Sequence, residues 1–249
     1  MQDTAARQLA LLKHSIRANG LLAAMPKDAL ERLLPDIELV TLVAGDRLDS
    51  IEGGPKHAYF PADVIVIVLV PSGEHTTTKV AVIGREGMIG IPAFMGNGAP
   101  HRHLVVLNTG QAFKIPVAAM KAEFDRNGAV MRLILRFAQT MLTQMAQNAV
   151  CNRYHLISQQ LSAWLLTCMD RMPEGNSLRV TQETVAGILG VRREAINDAA
   201  NTLRQLGLIA FRRGHIRMLD RPGLMANACE CYLVVKRETN RLLPDRPAT

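Results

Sequence analysis

Aromatic side chains are scarce in this chain, with one Trp, three Tyr and six Phe among 249 residues. That scarcity argues against a single-strand nucleic-acid binder built on stacking platforms, which needs a succession of rings along its groove. Cysteine is scarcer still. Cys151, Cys168, Cys229 and Cys231 are too few to staple a chain of this size; they read as small buried side chains, with a redox role as the lesser alternative. No metal or other cofactor is expected: His101-x-His103, with His57 and His75 elsewhere, lies in loop-like sequence without carboxylate or Cys at ligand spacing. No window reaches 18 uninterrupted apolar residues, and MQDTAARQLALLKHSIRANG lacks an apolar signal core. The expectation is therefore no membrane partner and a cytoplasmic location. Nucleophile elbow, phosphate-binding loop, zinc-protease helix and paired carboxylates are all missing, so no enzyme is expected.

What is present is a localised positive charge. The formal net charge is +7. Residues 1–128 carry thirteen basic and thirteen acidic side chains, whereas Arg179–Arg217 carries seven against three. A polyanion would dock on that second stretch.

The same stretch holds the clearest local pattern, LRVTQETVAGILGVRREAINDAANTLRQLGLIAFRRGHIRML. Thr181 is placed to cap a helix over 182–189, with Val185, Ala186, Ile188 and Leu189 on one face. Gly190 supplies a left-handed turn. A second helix over about 192–206 turns Ile196, Ala199, Ala200 and Leu203 inward. Its other face carries Arg193, Glu194, Asn197, Asp198 and Asn201, all able to hydrogen-bond base edges. Two short alternating strands around Arg212-Arg213-Gly214-His215 read as a basic wing. Thr181, Gln182, Arg192, Arg212, Arg213 and His215 are the candidate phosphate contacts. The expected partner is double-stranded DNA.

The run VTQETVAGILGVRREAINDAANTLRQLGLIAFRRGHI, with DRPGLMANACECY after it, resembles the C-terminal domain of the Crp/Fnr family of bacterial transcription regulators. The resemblance implies a homodimer with a cyclic-nucleotide-binding-like sensor, a long dimerisation helix, a winged helix-turn-helix and RNA polymerase as a further partner. Arg193 and Glu194 match the family's base-reading Arg-Glu pair. Asp198 departs from the Arg common there, and Arg192 replaces the usual capping Ser, so the target site should differ from the familiar one.

Upstream, helical sequence over 21–34, with Pro26 at a first turn, gives way to short apolar runs: 37–42, 57–60, 64–70, 76–82, 104–107 and 111–115. Turn residues between them suggest an antiparallel roll. The fold class expected is α+β: an N-terminal antiparallel β jelly roll (1–128), a long dimerisation helix and hinge (129–152), and a C-terminal winged helix-turn-helix (153–249). In the stretch VIGREGMIGIPAFMGNGAPHRHLVV, the resemblance places a possible effector pocket at Gly87, Gly90 and Arg102. It also puts Ile91 where a ribose-binding Glu is expected and His103 after Arg102, so cyclic AMP is not the expected effector. The effector itself stays unknown, and the alternative is a roll whose Gly residues serve turns alone. The family's oxygen sensors use a cysteine cluster for iron–sulfur, but no Cys here precedes Cys151.

Residues 129–150 form the longest helical pattern, about 33 Å at 1.5 Å per residue. Met131, Ile134, Ala138, Met141, Met145 and Asn148 alternate spacings of three and four, the seam of a coiled-coil pair. Val130, Leu133, Phe137 and Leu142 widen that apolar surface, so the helix has two things to bury against. The alternative to a DNA-binding regulator is a small-ligand sensor whose winged helix makes only protein contacts.

Overall fold

Seven aliphatic residues in a row, Val64–Val70, need apolar cover on both sides of a strand, because alternate side chains leave opposite faces of a sheet. The structure is a computed structural model that describes residues 15–48, 56–71, 77–95, 102–172, 176–212 and 214–243. The turns expected at 52–54 and 72–74, the residues His75, His101 and Arg213, and the tail from 244 lie outside these. In the structure, Val64, Val66 and Val68 point into one core, whereas Ile65, Ile67 and Leu69 point into a second.

The first core fills a roll of two antiparallel three-stranded sheets. One is ordered β1–β6–β2, from Glu38–Leu42 (β1), His57–Pro61 (β2) and Gly110–Pro116 (β6); the other is ordered β4–β3–β5, from Val66–Pro71 (β3), Thr77–Ile83 (β4) and His103–Val106 (β5). Each strand falls within a residue or two of its expected position. The N-terminal helical stretch breaks into Gly20–Ala23 (α1) and Lys27–Leu33 (α2), with Pro26 as the cap between them. Buried Asn19 closes α1: its Oδ1 accepts from Leu21 and Leu22, and its Nδ2 donates to the Pro61 and Gly87 carbonyls.

After the short helices Pro92–Met95 (α3) and Val117–Asp125 (α4) comes the long helix, Ala129–Tyr154 (α5). It runs four residues past the helical pattern expected to end at 150, through the stretch expected to be the hinge. The chain turns instead at His155 and Leu156, both extended. One face of α5 is taken up by its own roll. Val130, Leu133, Ile134, Phe137 and Met141 belong to the first core. Gln144 pairs its side-chain amide with both backbone groups of Val82, and Asn148 Nδ2 donates to the Val80 carbonyl at 2.7 Å. These amides satisfy the free edge of β4, which would otherwise hold buried unpaired groups.

The second core belongs to the reader and to the outer face of the roll. It joins Leu161, Trp164, Leu165 and Cys168 of helix Ile157–Met169 (α6) with Ile65, Ile67, Leu69, Val82 and Leu107 of the roll. At about 1.5–3 kcal/mol per fully buried aliphatic side chain, those five roll residues make this a firm docking rather than a loose tether. Three further helices and a sheet complete it: Gln182–Leu189 (α7), Arg193–Gln205 (α8), Arg221–Asn227 (α9) and the antiparallel sheet β7–β9–β8, from Ser177–Arg179 (β7), Ile209–Arg212 (β8) and His215–Met218 (β9). A last helix, Glu230–Leu242 (α10), packs back on α5.

Two glycines explain how roll and helices come so close. A Cβ at Gly87 would lie 2.3 Å from the Phe137 ring of α5, and one at Gly84 would lie 2.7 Å from Cβ of Arg171. Arg171 Nε in turn donates to Glu86 Oε1 at 2.7 Å, and its Nη1 to the Thr167 carbonyl at 2.8 Å. Both ionic side chains are buried, 9% and 6% exposed, and the pair bridges sensor and reader.

Candidate nucleic-acid interface

The turn between α7 and α8 forms as its residues require. Thr181 Oγ1 accepts from the Thr184 N–H at 3.1 Å and caps α7. Gly190 ends that helix at φ +69°, a conformation disfavoured for any residue with a Cβ. A Cβ there would also meet Thr78 Oγ1 of β4 at 2.8 Å. Helix α8 then starts at Arg192, whose side chain makes no capping bond.

Helix α8 divides sharply. Ile196, Ala199, Ala200 and Leu203 are buried against α6 and α7. Arg193, Glu194, Asn197 and Asp198 are exposed, and Asn201 is half-buried, its Oδ1 accepting from Arg204 at 2.9 Å. Gln182 Nε2 donates to Asn197 Oδ1 at 3.2 Å, which ties the outer faces of α7 and α8 together. Arg193 lies 4.0 Å from Glu183, an exposed pair too weak to hold the guanidinium against a base edge. The Thr181 hydroxyl, expected to contact phosphate, is engaged with the Thr184 backbone and hydroxyl, so its role is to build the helix end.

The wing carries a longer cationic row than its hairpin alone supplies. Arg212 pairs with His215 across β8 and β9, and Arg179 pairs with the same His215 across β7 and β9. All three side chains are exposed, and Arg217 stands two residues along on the same face. Arg179 and Arg217 bound the basic stretch in the sequence but are not among the expected phosphate contacts, because sequence alone does not place them on the wing's face. The register of the third strand shows them.

The possible effector pocket has a different fate. The Gly87 N–H donates to the Gly84 carbonyl at 3.0 Å, and the Gly87 carbonyl accepts from Asn19. The Gly90 carbonyl accepts from Ala93 N–H at 3.0 Å. These glycines serve close packing, and the Gly87 amide points at its own turn, not at a phosphate. Arg102 is half-buried just before β5 and makes an interaction of its own.

The expected seam on α5 also needs correction. Ile134 and Met141 are buried in the chain's own core, Met145 packs against it, and Asn148 is bonded to β4; Met131 and Ala138 are half-buried. Exposed large aliphatic side chains on this helix include Leu135, Leu142 and Val150, 41%, 61% and 41% exposed. Among the described residues, no helix is long and apolar enough to cross a membrane.

Residues 159–226 match the model of the Crp-like helix-turn-helix domain. No curated protein matches the chain. Among solved structures, a transcriptional regulator of the Crp/Fnr family from Eubacterium rectale is similar, with a TM-score of 0.65, 16% identity and coverage of 84% of this chain and 98% of its own. FixK2 from Bradyrhizobium japonicum gives 0.62, with 12% identity and coverage of 78% and 98%. A Crp/Fnr-family regulator from Thermus thermophilus gives 0.59, with 20% identity and coverage of 77% and 98%. The chain carries a Crp-like helix-turn-helix domain on the fold of the Crp/Fnr regulators.

Proposed function

We propose that this protein is a sequence-specific, double-stranded-DNA-binding transcription regulator of the Crp/Fnr type. It works as a cytoplasmic homodimer, is not an enzyme, and responds to something other than cyclic AMP. The observation that carries this reading is the division of α8. A helix with four residues buried on one face keeps Arg193, Glu194, Asn197 and Asp198 exposed on the other, beside the cationic row Arg179–His215–Arg212. Arg193 and Asn197 offer the donors that guanine and adenine edges accept, and Glu194 and Asp198 can accept from cytosine N4. Arg192, Arg179, Arg212, His215 and Arg217 surround that row as phosphate contacts.

The second copy covers the outer side of α5. Leu135 and Leu142 are one heptad apart, and Ala146, Ala149 and Val150 continue the exposed stripe toward the reader. The helix is about 39 Å long at 1.5 Å per residue, close to the roughly 34–36 Å between half-sites one DNA turn apart. Against cyclic AMP stand apolar Ile91 and the closed turn at Gly87.

On a site selected from random duplexes, Arg193→Ala should weaken binding by about 1–3 kcal/mol and relax one base position. Arg212→Ala should weaken binding to all sequences alike and flatten the salt dependence. Titration of both variants against a panel of single-base site mutants separates the roles. Indistinguishable profiles would refute the assignment. No affinity for any duplex at low salt would favour a winged helix serving protein contacts.

A further inference from the structure

We propose that Cys151, His155, Cys229 and Cys231 form a Cys3His site for one zinc ion, which clamps the C-terminal helix to the end of the long helix. Their donor atoms all lie within 4.8 Å of one another. Cys151 Sγ is 3.5 Å from Cys229 Sγ, and Cys231 Sγ is 3.6 Å from His155 Nδ1. A tetrahedral ion with Zn–S of about 2.3 Å and Zn–N of about 2.0 Å sets its ligand atoms roughly 3.5–3.8 Å apart, so the two measured edges already have the right length.

The backbone explains why the four meet. Cys151 and His155 stand four residues apart at the end of α5, hence on one face, with the His155 N–H bonded to the Cys151 carbonyl at 3.2 Å. Cys229 caps the N-terminus of α10, and Cys231 sits in its first turn. Free amides and the positive end of a 13-residue helix therefore face the thiolates.

Three further features belong to a metal site and not to a chance cluster. His155 Nε2 lies 3.3 Å from Glu230 Oε1, so the imidazole is oriented by a carboxylate on one nitrogen while the other faces the thiols. That carboxylate–histidine arrangement fixes the tautomer a ligand needs. The three cysteines are 3–7% exposed, which keeps competing water away. Three thiolates, a neutral imidazole and a divalent zinc leave a single net negative charge. Lys79, buried on β4, lines the same small cavity as Cys151 and Cys231.

One ion fits better than the alternatives. An iron–sulfur cluster attaches its ligands to different irons and spreads them wider than this group. A Cys151–Cys229 disulfide would need an S–S distance of about 2.05 Å and would leave Cys231 and His155 without a role. Zinc accepts this mixed sulfur and nitrogen set without redox chemistry, and its binding displaces the thiol protons to solvent. The clamp lies where α5 hands over to α6, so it fixes the angle at which the reader leaves the long helix. This inference is independent of the DNA-binding reading.

The test is the metal content of the full chain, purified under reductant with zinc supplied and then dialysed. About one zinc per chain is expected by mass spectrometry. Cobalt added instead should give the intense visible bands of a tetrahedral ion and a thiolate charge-transfer band. Cys229→Ser and Cys231→Ser should lose both, whereas Cys168→Ser, altering a cysteine outside the group, should keep them. Glu230→Gln changes an exposed side chain and leaves folding intact, and should weaken zinc on the order of ten-fold. The proposal is overturned by wild-type protein that holds no zinc, by Cys229→Ser and Cys231→Ser proteins that bind like wild type, or by a Cys151–Cys229 disulfide in the reduced preparation.

Discussion

Leu142→Asp should turn the protein into a monomer and reduce its affinity for a two-half-site duplex by roughly 10²–10⁴-fold, the advantage that linking two weak binders normally confers. Leu142 is 61% exposed in the single chain, so the substitution removes nothing from either core. Across a two-fold seam, however, each Asp would face apolar side chains and the other copy's charge, and both would lose water. Sedimentation velocity reports the oligomeric state, circular dichroism shows that the chain stays folded, and a duplex titration reads the affinity. Leu135→Asp should behave alike. Ile134→Asp is the instructive contrast: with Ile134 only 1% exposed inside its own roll, that variant should unfold the chain instead of separating the dimer. A Leu142→Asp protein that remains a dimer would place the seam elsewhere.

Glu86→Gln should destabilise the chain by about 3–5 kcal/mol, because it strands the buried Arg171 guanidinium without a counter-charge. The loss exceeds that of an exposed ion pair, which is worth no more than about 1 kcal/mol. Geometry adds to it. The Arg171 stem lies over Gly84 with no room for a Cβ, which holds it in place beside Glu86. Denaturant unfolding of wild type and variant gives the difference. Replacing both partners, Glu86→Leu with Arg171→Met, should recover much of it, since two apolar groups need no charge balance. A Glu86→Gln protein within about 1 kcal/mol of wild type would mean that water reaches this pair and that the two domains are loosely docked.

How much of this was legible in the sequence depends on whether the signal was local. The capping Thr181, the left-handed Gly190 and the inward row Ile196–Ala199–Ala200–Leu203 are set within a few residues, and each stands where the pattern put it. Strands were equally plain, since an alternating or all-aliphatic run between turn residues has few other uses. The side of α5 left uncovered by its own chain was not legible. Apolar residues cover two adjacent faces of that helix, and the same three-and-four spacing fits either. Only the packing shows that Ile134, Met141 and Asn148 serve the roll while Leu135 and Leu142 are left over.

Other misses have the same origin. Gly84 and Gly87 look like turn or phosphate glycines until Arg171 and Phe137, far along the chain, are seen lying on them. Cys151 with His155 and Cys229 with Cys231 are each a short spacing, but 78 residues part Cys151 from Cys229, so only the fold joins the two halves. Arg179 joins the wing only through the pairing of β7 with β9.

The central claim is that the exposed row of α8 reads duplex DNA while the wing holds its backbone. Selection from a random duplex pool by the full-length protein, followed by sequencing, tests it most directly. The account predicts enrichment of an inverted repeat with half-sites about 10 bp apart, and loss of preference at one symmetric pair of positions when Arg193 is changed to Ala. A pool that emerges unenriched at low salt, or a motif indifferent to Arg193 and Asn197, would contradict it.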